Sequence, residues 1–293
     1  MISVTKLTGG KGSVARLSSY LSSTLQTDRE RPKSADNYYA QEAVEAEWFG
    51  KLSSSLRLDD RNIGTQFSEM LQGKFTNNLT GELTEMARRP SAPLGWDFTI
   101  SAPKSVSIAA LVCADDDVKK VHDYATARAL EHLELWSATR VRHNGSASMR
   151  VVTESVSGAL FKHETNRANE PDLHTHCVIF NFTPIDNRYG ALETKEMYRQ
   201  VSAADRVYKS HLTQGLRSIG YNANIRKKDK HWDVEIEGIN KKIINHYSSR
   251  TQKIADYKSH RDSEIQRKKD SGLSLSASEQ LSLIHISEPT RPY

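Results

Sequence analysis

The stretch FKHETNRANEPDLHTHCVIFNF, residues 161–182, decides the fold, because it joins two apolar segments through a short polar connection. Arg150 to His163 and Leu173 to Thr183 are rich in β-branched and aromatic residues, which predicts a strand in each. A connection this short cannot hold a crossover helix, so the two strands must run antiparallel. The stretch therefore predicts two neighbouring antiparallel strands of a sheet.

Three histidines lie in this stretch. Side chains two residues apart in a strand share a face, so His174 and His176 point the same way, about 7 Å apart. A hairpin connection would bring His163 beside them, whereas Cys177 faces the opposite side and is excluded as a ligand. The pattern predicts a site for one divalent metal ion. The alternative stays open, because H-x-H pairs occur by chance and a lone histidine is usually satisfied by hydrogen bonds.

The donor set limits which metal is expected. Three neutral imidazoles leave coordination positions open, as in a catalytic site, whereas a structural zinc site is filled by four protein ligands. Imidazole suits Zn, Mn, Ni or Cu, and a phosphate oxygen with water in the open positions would also permit Mg. The donor set alone does not choose among these ions, although Mg²⁺ or Mn²⁺ is the ion expected in use, with Zn, Ni and Cu left open. No nucleotide cofactor is expected for this domain.

Further elements are predicted upstream of the histidine stretch. Apolar residues alternate over residues 2–7, which predicts a strand, and Trp96 to Ser101 predicts a second one. Pro103 then marks the start of a helix. Asp115 to Trp136 is the clearest helix, because apolar residues recur there at three- and four-residue steps.

The remaining segments complete the predicted fold. Residues 56–89 have a mixed helix and loop pattern, and residues 203–219 are predicted to be helical. A second hairpin is expected over residues 221–236 with its turn at 228–230, followed by a long basic helix from Ile239 to about Lys269. The sequence thus predicts an α+β fold with a central antiparallel sheet flanked by helices.

Composition narrows the class of partner and compartment. The formal charge of +5 and a pI near 9.0 favour a polyanionic partner without establishing one. No apolar run approaches the roughly 20 residues of a membrane span, so no membrane insertion is expected. Cys113 and Cys177 are the only cysteines, which favours a reducing cytoplasm.

Three tyrosines are candidate nucleophiles. A metal beside a phosphodiester supplies no covalent nucleophile itself, whereas a phenol can. Tyr20 lies on a predicted first helix, and Tyr38 and Tyr39 follow a charged segment, residues 27–37, that is predicted to be a loop. The residues alone do not separate these three from the other tyrosines.

Two polar residues near the predicted Pro103 helix start could serve the same site. Asp97, in the preceding strand, could accept a proton or hold a histidine ring, although a lone Asp is more often a cap or a surface charge. Lys104 and the free amides of the helix start could contact a phosphate.

Six blocks of the sequence together resemble the TrwC/TraI-type (MobF) conjugative relaxases, a branch of the HUH endonucleases. The resemblance spans nearly the whole natural chain, and its specificity lies in the order and spacing of the blocks. In chain order they are LSSYL at 17–21, DNYY at 36–39, EAEWFGK at 45–51, DFTISAPKSVS at 97–107, HETNR at 163–167 and LHTH at 173–176.

The resemblance implies a palm-like HUH relaxase fold and a role for each candidate. Tyr20 would be the first nucleophile, Tyr38 or Tyr39 would perform a second strand transfer, and the three histidines would hold the metal. Asp97 would assist Tyr20 or the histidine cluster. Two departures stand out: Leu21 follows Tyr20 where relatives usually carry a tyrosine pair, and the stretch between the two tyrosine sites is longer than in relatives.

The implied activity is metal-dependent, site- and strand-specific nicking of a plasmid transfer origin. Tyrosine transesterification would give a 5′-phosphotyrosyl intermediate, and rejoining would follow transfer. Expected partners are single-stranded and hairpin transfer-origin DNA, relaxosome accessory proteins and a conjugative coupling protein. The expected location is the donor cytoplasm, with translocation into the recipient left open. Candidate DNA contacts are Lys104, Arg167, Arg226, Lys227, Lys228 and Trp232, of which the last four could equally form a solvated charged hairpin.

Other functions remain open at this stage. A rolling-circle replication initiator of the HUH class would share the histidine and tyrosine chemistry, although the order of the blocks disfavours it. A DNA-binding module with inert histidines is a second alternative, and a metal-dependent hydrolase of small substrates that uses water is a third.

The domain organisation is also an expectation. Residues 1–280 are expected to form the relaxase domain. Residues 281–293 begin with LSLIHISEPTR, which resembles the translation of a common transposase sequencing adapter, so this tail is expected to be non-native rather than a real exposed tail. The helicase domain that generally follows in relatives is expected to be absent from the chain.

Overall fold

The computed structural model describes residues 1–8, 46–58, 63–76, 81–86, 89, 91–142, 148–166, 168–228, 231–249, 259, 263, 267, 270 and 271. Tyr20, Tyr38, Tyr39 and Arg167 lie outside these residues, as do the predicted loop at 27–37 and the tail at 281–293. The chain divides into two units, residues 1–240 and 241–293, which are described separately.

The first unit contains all of the described strands and most of the helices. The strands are β1 (Ile2–Thr8), β2 (Ala46–Phe49), β3 (Lys74–Thr76), β4 (Leu83–Glu85), β5 (Pro93–Ser101), β6 (Ala138–Val141), β7 (Met149–Val152), β8 (Gly158–Thr165), β9 (Pro171–Phe180), β10 (Thr183–Ile185), β11 (Arg188–Gly190), β12 (Leu192–Glu193), β13 (Ala223–Lys228) and β14 (His231–Ile236). The helices are α1 (Lys51–Ser55), α2 (Ile63–Leu71), α3 (Lys104–Leu111), α4 (Asp116–Glu134) and α5 (Lys195–Ser218). The second unit contains α6 (Lys241–His246).

A five-stranded sheet in the order β1-β5-β9-β8-β2 forms the centre, and every neighbouring pair is antiparallel. Its middle strand is β9. Small two- and three-stranded sheets pair β3 with β4, β10 with β11, β13 with β14, and β12 with β6 and β7. The predicted α+β class with a central antiparallel sheet is confirmed.

Helices α4 and α5 share one hydrophobic core with one face of the sheet. Phe98 and Ile100 of β5 join Cys177 and Ile179 of β9 in this core, and all four are fully buried. The predicted helix start is visible at Asp115, whose side chain accepts a hydrogen bond from the backbone N–H two residues later. Burial of the apolar stripe on α4 then holds the helix against the sheet.

A second core lies on the other face and includes residues of α1 and α2. Phe67 of α2 contacts Phe161 of β8 and Phe180 of β9, with ring centroids 5.1 and 5.5 Å apart. Val178 of β9 lies in the same core. Around Phe161, Val178 and Phe180, the sheet is therefore covered by apolar side chains on both faces.

Two sequence predictions fail for reasons visible in the contacts. Residues 150–163 form two strands instead of one, because Glu154 adopts a left-handed φ of 47° and the backbone N–H of Val156 bonds to Glu134 at the end of α4. Residues 56–89 include the unpredicted β3–β4 hairpin, which begins after Gly73 (φ 77°) and is anchored by the buried Phe75.

Downstream boundaries also shift. Helix α5 starts at Lys195 instead of Ala203, since Met197 in its first turn is fully buried. The predicted hairpin over residues 221–236 is confirmed as β13 and β14. The predicted long basic helix is not continuous in the described residues, because α6 ends at His246. Within the described residues, no helix combines the length and the apolar character needed to cross a membrane.

Phe180→Ala tests the second core. The side chain is fully buried against Phe67, so its removal leaves a cavity. We expect the free energy of unfolding in urea to fall by about 3–5 kcal/mol. The control Leu83→Ala truncates a side chain that is 70% exposed and should change it by less than about 0.5 kcal/mol. Equal losses in both variants would contradict a packed core at Phe180.

Candidate metal centre

Sheet register brings the three predicted histidines together. His163 of β8 lies directly opposite His174 of β9, and His176 is two residues further along β9 on the same face. The ring centroids of all three pairs are 5.2 Å apart. The sheet thus places the three predicted residues together on one face, and their role as metal ligands stays a prediction.

The cluster continues the face that carries the second core. Along β9 this face presents Phe180 and Val178 and then His176 and His174, so it changes from apolar to imidazole. Cys177 points into the opposite core, and burial raises the pKa of its thiol well above the ordinary value. The predicted exclusion of this thiol from the cluster is confirmed.

Burial favours the neutral form of His163. His163 and His174 are only 3% and 7% exposed. The pKa of His163 is lowered to about 3, first by burial and then by the neighbouring His176 and His174. A neutral imidazole keeps a lone pair, which is the form that binds a metal ion.

Hydrogen bonds at Nδ1 orient both histidine rings of β9. Nδ1 of His176 lies 2.8 Å from Oδ2 of Asp97 and 3.1 Å from Oγ1 of Thr99. Nδ1 of His174 donates to the backbone carbonyl of Asp172 at 2.7 Å, since a carbonyl oxygen can only accept. Nε2 is therefore the candidate metal ligand of each ring, and Asp97 takes the place of the carboxylate that commonly orients a metal-binding histidine.

Ring spacing and donor type fit one divalent ion. A nitrogen about 2.1 Å from a metal puts the ring centroid about 3.2 Å from it, and tetrahedral angles then give centroid separations of about 5.2 Å. The ring orientations fit a shared metal ion less well, because the rings of His163 and His174 are only 16° from parallel. As the side chains stand, no group of three or more His, Cys, Asp or Glu in the described part of the chain has a metal-holding arrangement. The histidine rings would have to rotate before one nitrogen of each could bind the same metal ion.

A buried polar group lies behind β9, on the face opposite the histidines. His122 of α4 is fully buried, with Nδ1 2.8 Å from the hydroxyl of Tyr208 and Nε2 3.3 Å from Oγ1 of Thr175. Thr175 is the residue between His174 and His176. Sequence reasoning missed this contact because it joins two helices to a strand. The Thr99 contact could have been found, since Thr99 is two residues from Asp97 in a predicted strand.

The candidate DNA contacts divide into two groups. Lys104 lies close to the cluster, and its ammonium donates to the carbonyl of Pro171 at 2.7 Å. Arg226 and Lys227 of β13 and Trp232 of β14 lie on the separate hairpin. Lys228 ends strand β13, and Arg167 is outside the described residues.

Two side chains on the β13–β14 hairpin are accessible. Trp232 is 56% exposed, and Arg226 is paired with Glu237 at 2.6 Å. The hairpin therefore presents an aromatic ring, while its nearby arginine is already engaged with a carboxylate. Its role in binding DNA stays a prediction.

Fold and cluster together define an α+β protein whose antiparallel sheet carries three histidines and an aspartate on one face. The TrwC relaxase family model matches residues 15–291. The chain belongs to the TrwC relaxase family, as the sequence blocks predicted.

Solved structures and a curated relative agree with this assignment. The metal-bound complex of conjugative relaxase TrwC with oriT DNA has a TM-score of 0.72 at 27% identity, covering 100% of this chain and 92% of that chain. TrwC complexed with a 27-mer DNA comprising the recognition hairpin and the cleavage site has a TM-score of 0.69 at 27% identity, covering 100% and 93%. The multifunctional conjugation protein TraI of Escherichia coli (strain K12) is 29% identical over 230 residues, which are 75% of this chain and 13% of that protein.

The buried His122 makes stability depend on pH. Burial lowers its pKa to about 3, whereas the unfolded chain binds this proton near the ordinary value of about 6.5. The unfolded state therefore gains protons first, so stability present above about pH 6.5 is lost as the pH falls toward about 3. In urea unfolding of metal-free protein, we expect His122→Gln to reduce the acid-side slope by at most about 1.4 kcal/mol per pH unit.

The control for this measurement is His211→Gln, whose ring packs on the exposed Tyr124. It should leave the wild-type slope in place. A slope unchanged by His122→Gln would contradict a neutral His122 in the folded state.

Proposed function

We propose that this chain is a metal-dependent DNA strand transferase that nicks one strand of a plasmid transfer origin and rejoins it after transfer. The observation that carries the proposal is the cluster of three imidazoles 5.2 Å apart, two of them buried and the third hydrogen-bonded to Asp97, in a chain of the TrwC relaxase family. Residues 1–280 would form the catalytic domain. The adapter-like origin of residues 281–293 stays a prediction.

Tyr20 is the proposed first nucleophile. Its phenolate oxygen would attack the scissile phosphorus, forming a phosphotyrosyl ester to the 5′ end of one DNA segment. The bond from phosphorus to the 3′ oxygen would break, and that oxygen would leave with a proton as a 3′-hydroxyl. One phosphoester bond is exchanged for another, so the step needs no nucleotide. Tyr38 or Tyr39 would perform the second transfer by the same exchange.

Two residues of the described part of the chain orient the histidine rings for this reaction. Asp97 holds His176, and the Asp172 carbonyl holds His174, so both rings direct Nε2 away from their hydrogen-bond acceptors. A divalent ion bound by the three histidines would polarise a non-bridging phosphate oxygen and stabilise its developing charge. One solved TrwC complex with oriT DNA is metal-bound, which supports a metal here without identifying it. Mg²⁺ or Mn²⁺ remains the expected ion.

The proposed substrate is single-stranded DNA next to a hairpin. A TrwC complex contains a DNA with the recognition hairpin and the cleavage site, and the present chain carries a formal charge of +5. Proposed contacts are Arg167, Arg226, Lys227, Lys228 and Trp232. Relaxosome accessory proteins, a coupling protein and a cytoplasmic location remain proposals drawn from the family.

Adduct formation tests the proposed nucleophile. Purified chain is incubated with Mn²⁺ and a 3′-labelled single-stranded oligonucleotide covering the transfer origin of its plasmid, because the covalent product keeps the DNA on the 3′ side of the nick. We expect a labelled adduct that survives SDS. Tyr20→Phe should abolish it, whereas Tyr124→Phe, which removes the hydroxyl of an exposed tyrosine on α4, should not.

Other outcomes point to other functions. Cleavage without an adduct would favour a metal-dependent hydrolase, and binding without cleavage would favour a DNA-binding module. Adduct formation by Tyr20→Phe at the wild-type level would refute the assignment of Tyr20. A protein that nicks a replication origin in preference to a transfer origin would be a rolling-circle initiator.

Metal titration tests the cluster separately from DNA. His174→Ala should weaken Mn²⁺ binding by more than about tenfold, since even the loss of a group that only orients a metal ligand typically costs 10–100-fold. It should also abolish cleavage while leaving oligonucleotide binding intact. The matched control is His211→Ala, at a histidine that packs on Tyr124. Equal Mn²⁺ affinity in both variants would contradict the metal assignment.

A further inference from the structure

Lys104 is held at the start of the strand that carries two of the histidines. It is the first residue of α3, and its Nζ donates to the carbonyl of Pro171 at 2.7 Å. The same ammonium lies 3.9 Å from Oδ1 of Asp172. The side chain is only 19% exposed, so most of its length is removed from water. An ammonium in such a position needs fixed acceptors, and the beginning of β9 provides them.

Two more contacts join α3 and its approach to the same segment. The N–H of Ala102 donates to the carbonyl of Leu173 at 2.9 Å, and the N–H of Leu173 donates to the hydroxyl of Ser107 at 3.1 Å. Leu173 is buried and belongs to the core on the α4 and α5 face. Residues 171–173 are therefore held by three hydrogen bonds, two from side chains of α3 and one from Ala102 just before it.

This segment in turn orients a histidine. The carbonyl of Asp172 accepts the hydrogen bond from Nδ1 of His174 at 2.7 Å. Lys104 donates a hydrogen bond to the carbonyl of Pro171, the residue before Asp172, and lies near the side chain of Asp172. The Asp172 carbonyl belongs to the next peptide, which Ser107 holds through the N–H of Leu173. Loss of Lys104 would release one of the two peptides that flank Asp172, and the acceptor of the Nδ1–H of His174 would be less firmly fixed.

We propose that Lys104 is a positioning residue for His174, acting through the Pro171–Asp172 backbone. Its role is to keep the proton of His174 on Nδ1 and so keep Nε2 available to the ion. This differs from the phosphate contact predicted from the sequence, in which the ammonium would point to DNA. The inference rests on the proposed metal-binding function.

The experiment compares Lys104→Met, which removes the donor, with Lys104→Arg, which keeps one. Lys120→Met is the control, because this lysine is 76% exposed and pairs within α4. Three readouts are used: the His174 tautomer by nitrogen NMR of the metal-free protein, Mn²⁺ affinity by titration calorimetry, and the salt dependence of binding to a single-stranded oligonucleotide.

A positioning role predicts a specific pattern. Lys104→Met should convert His174 from the Nδ1–H tautomer to a mixture and weaken Mn²⁺ binding by about 10–100-fold. Lys104→Arg should restore most of the affinity. The slope of log affinity against log salt should stay at the wild-type value in Lys104→Met, and Lys120→Met should behave as wild type in the tautomer and Mn²⁺ measurements.

The opposite pattern would overturn the inference. A phosphate contact predicts unchanged Mn²⁺ affinity and a salt slope reduced in magnitude by about 0.7 in Lys104→Met. An unchanged tautomer in the metal-free variant would also refute the positioning role. If the wild-type chain bound no Mn²⁺, the proposed metal centre would fail, and the metal-free tautomer measurement would still decide the role of Lys104.

Discussion

Strand β9 is hydrogen-bonded to β5 on one edge and to β8 on the other, and this double pairing fixes which side chains face each layer. His174 and His176 share one face, while Cys177 and Ile179 enter the core on the other. A slip of one residue would put both imidazoles into an apolar core and move core side chains to the histidine face. Burial of the apolar residues therefore maintains the register on which the cluster depends.

The chemistry of the cluster follows from its surroundings as much as from its residue types. The same sheet face is apolar where Phe180 packs against α2 and becomes polar at the histidines. Burial lowers the pKa of His163, which favours a neutral ring, and Asp97 and the Asp172 carbonyl orient the rings of β9. The neutral ring of His163 is thus a product of packing, and the orientation of the two β9 rings is a product of hydrogen bonding.

Local periodicity explains how much could be predicted from the sequence. The two-residue repeat places His174 beside His176, and the short connection brings His163 to them. The cluster could therefore be predicted from the sequence. Contacts between distant elements could not be predicted, because no local sequence pattern indicates that Lys104 contacts Pro171. The break between β7 and β8 was missed for the same reason, since that segment bonds to the end of α4. Sequence therefore located the cluster but not the residues that support it.

The strand order also has a consequence for synthesis on the ribosome. Strand β1 pairs with β5, which begins about 85 residues later, and β2 pairs with β8 across a still longer separation. At roughly 5–20 residues per second, β1 would leave the ribosome about 4–17 seconds before its partner. Strands β8 and β9, by contrast, are neighbours in the chain and can pair almost at once. The hairpin bearing all three histidines can therefore form early, while completion of the sheet waits for its distant strands.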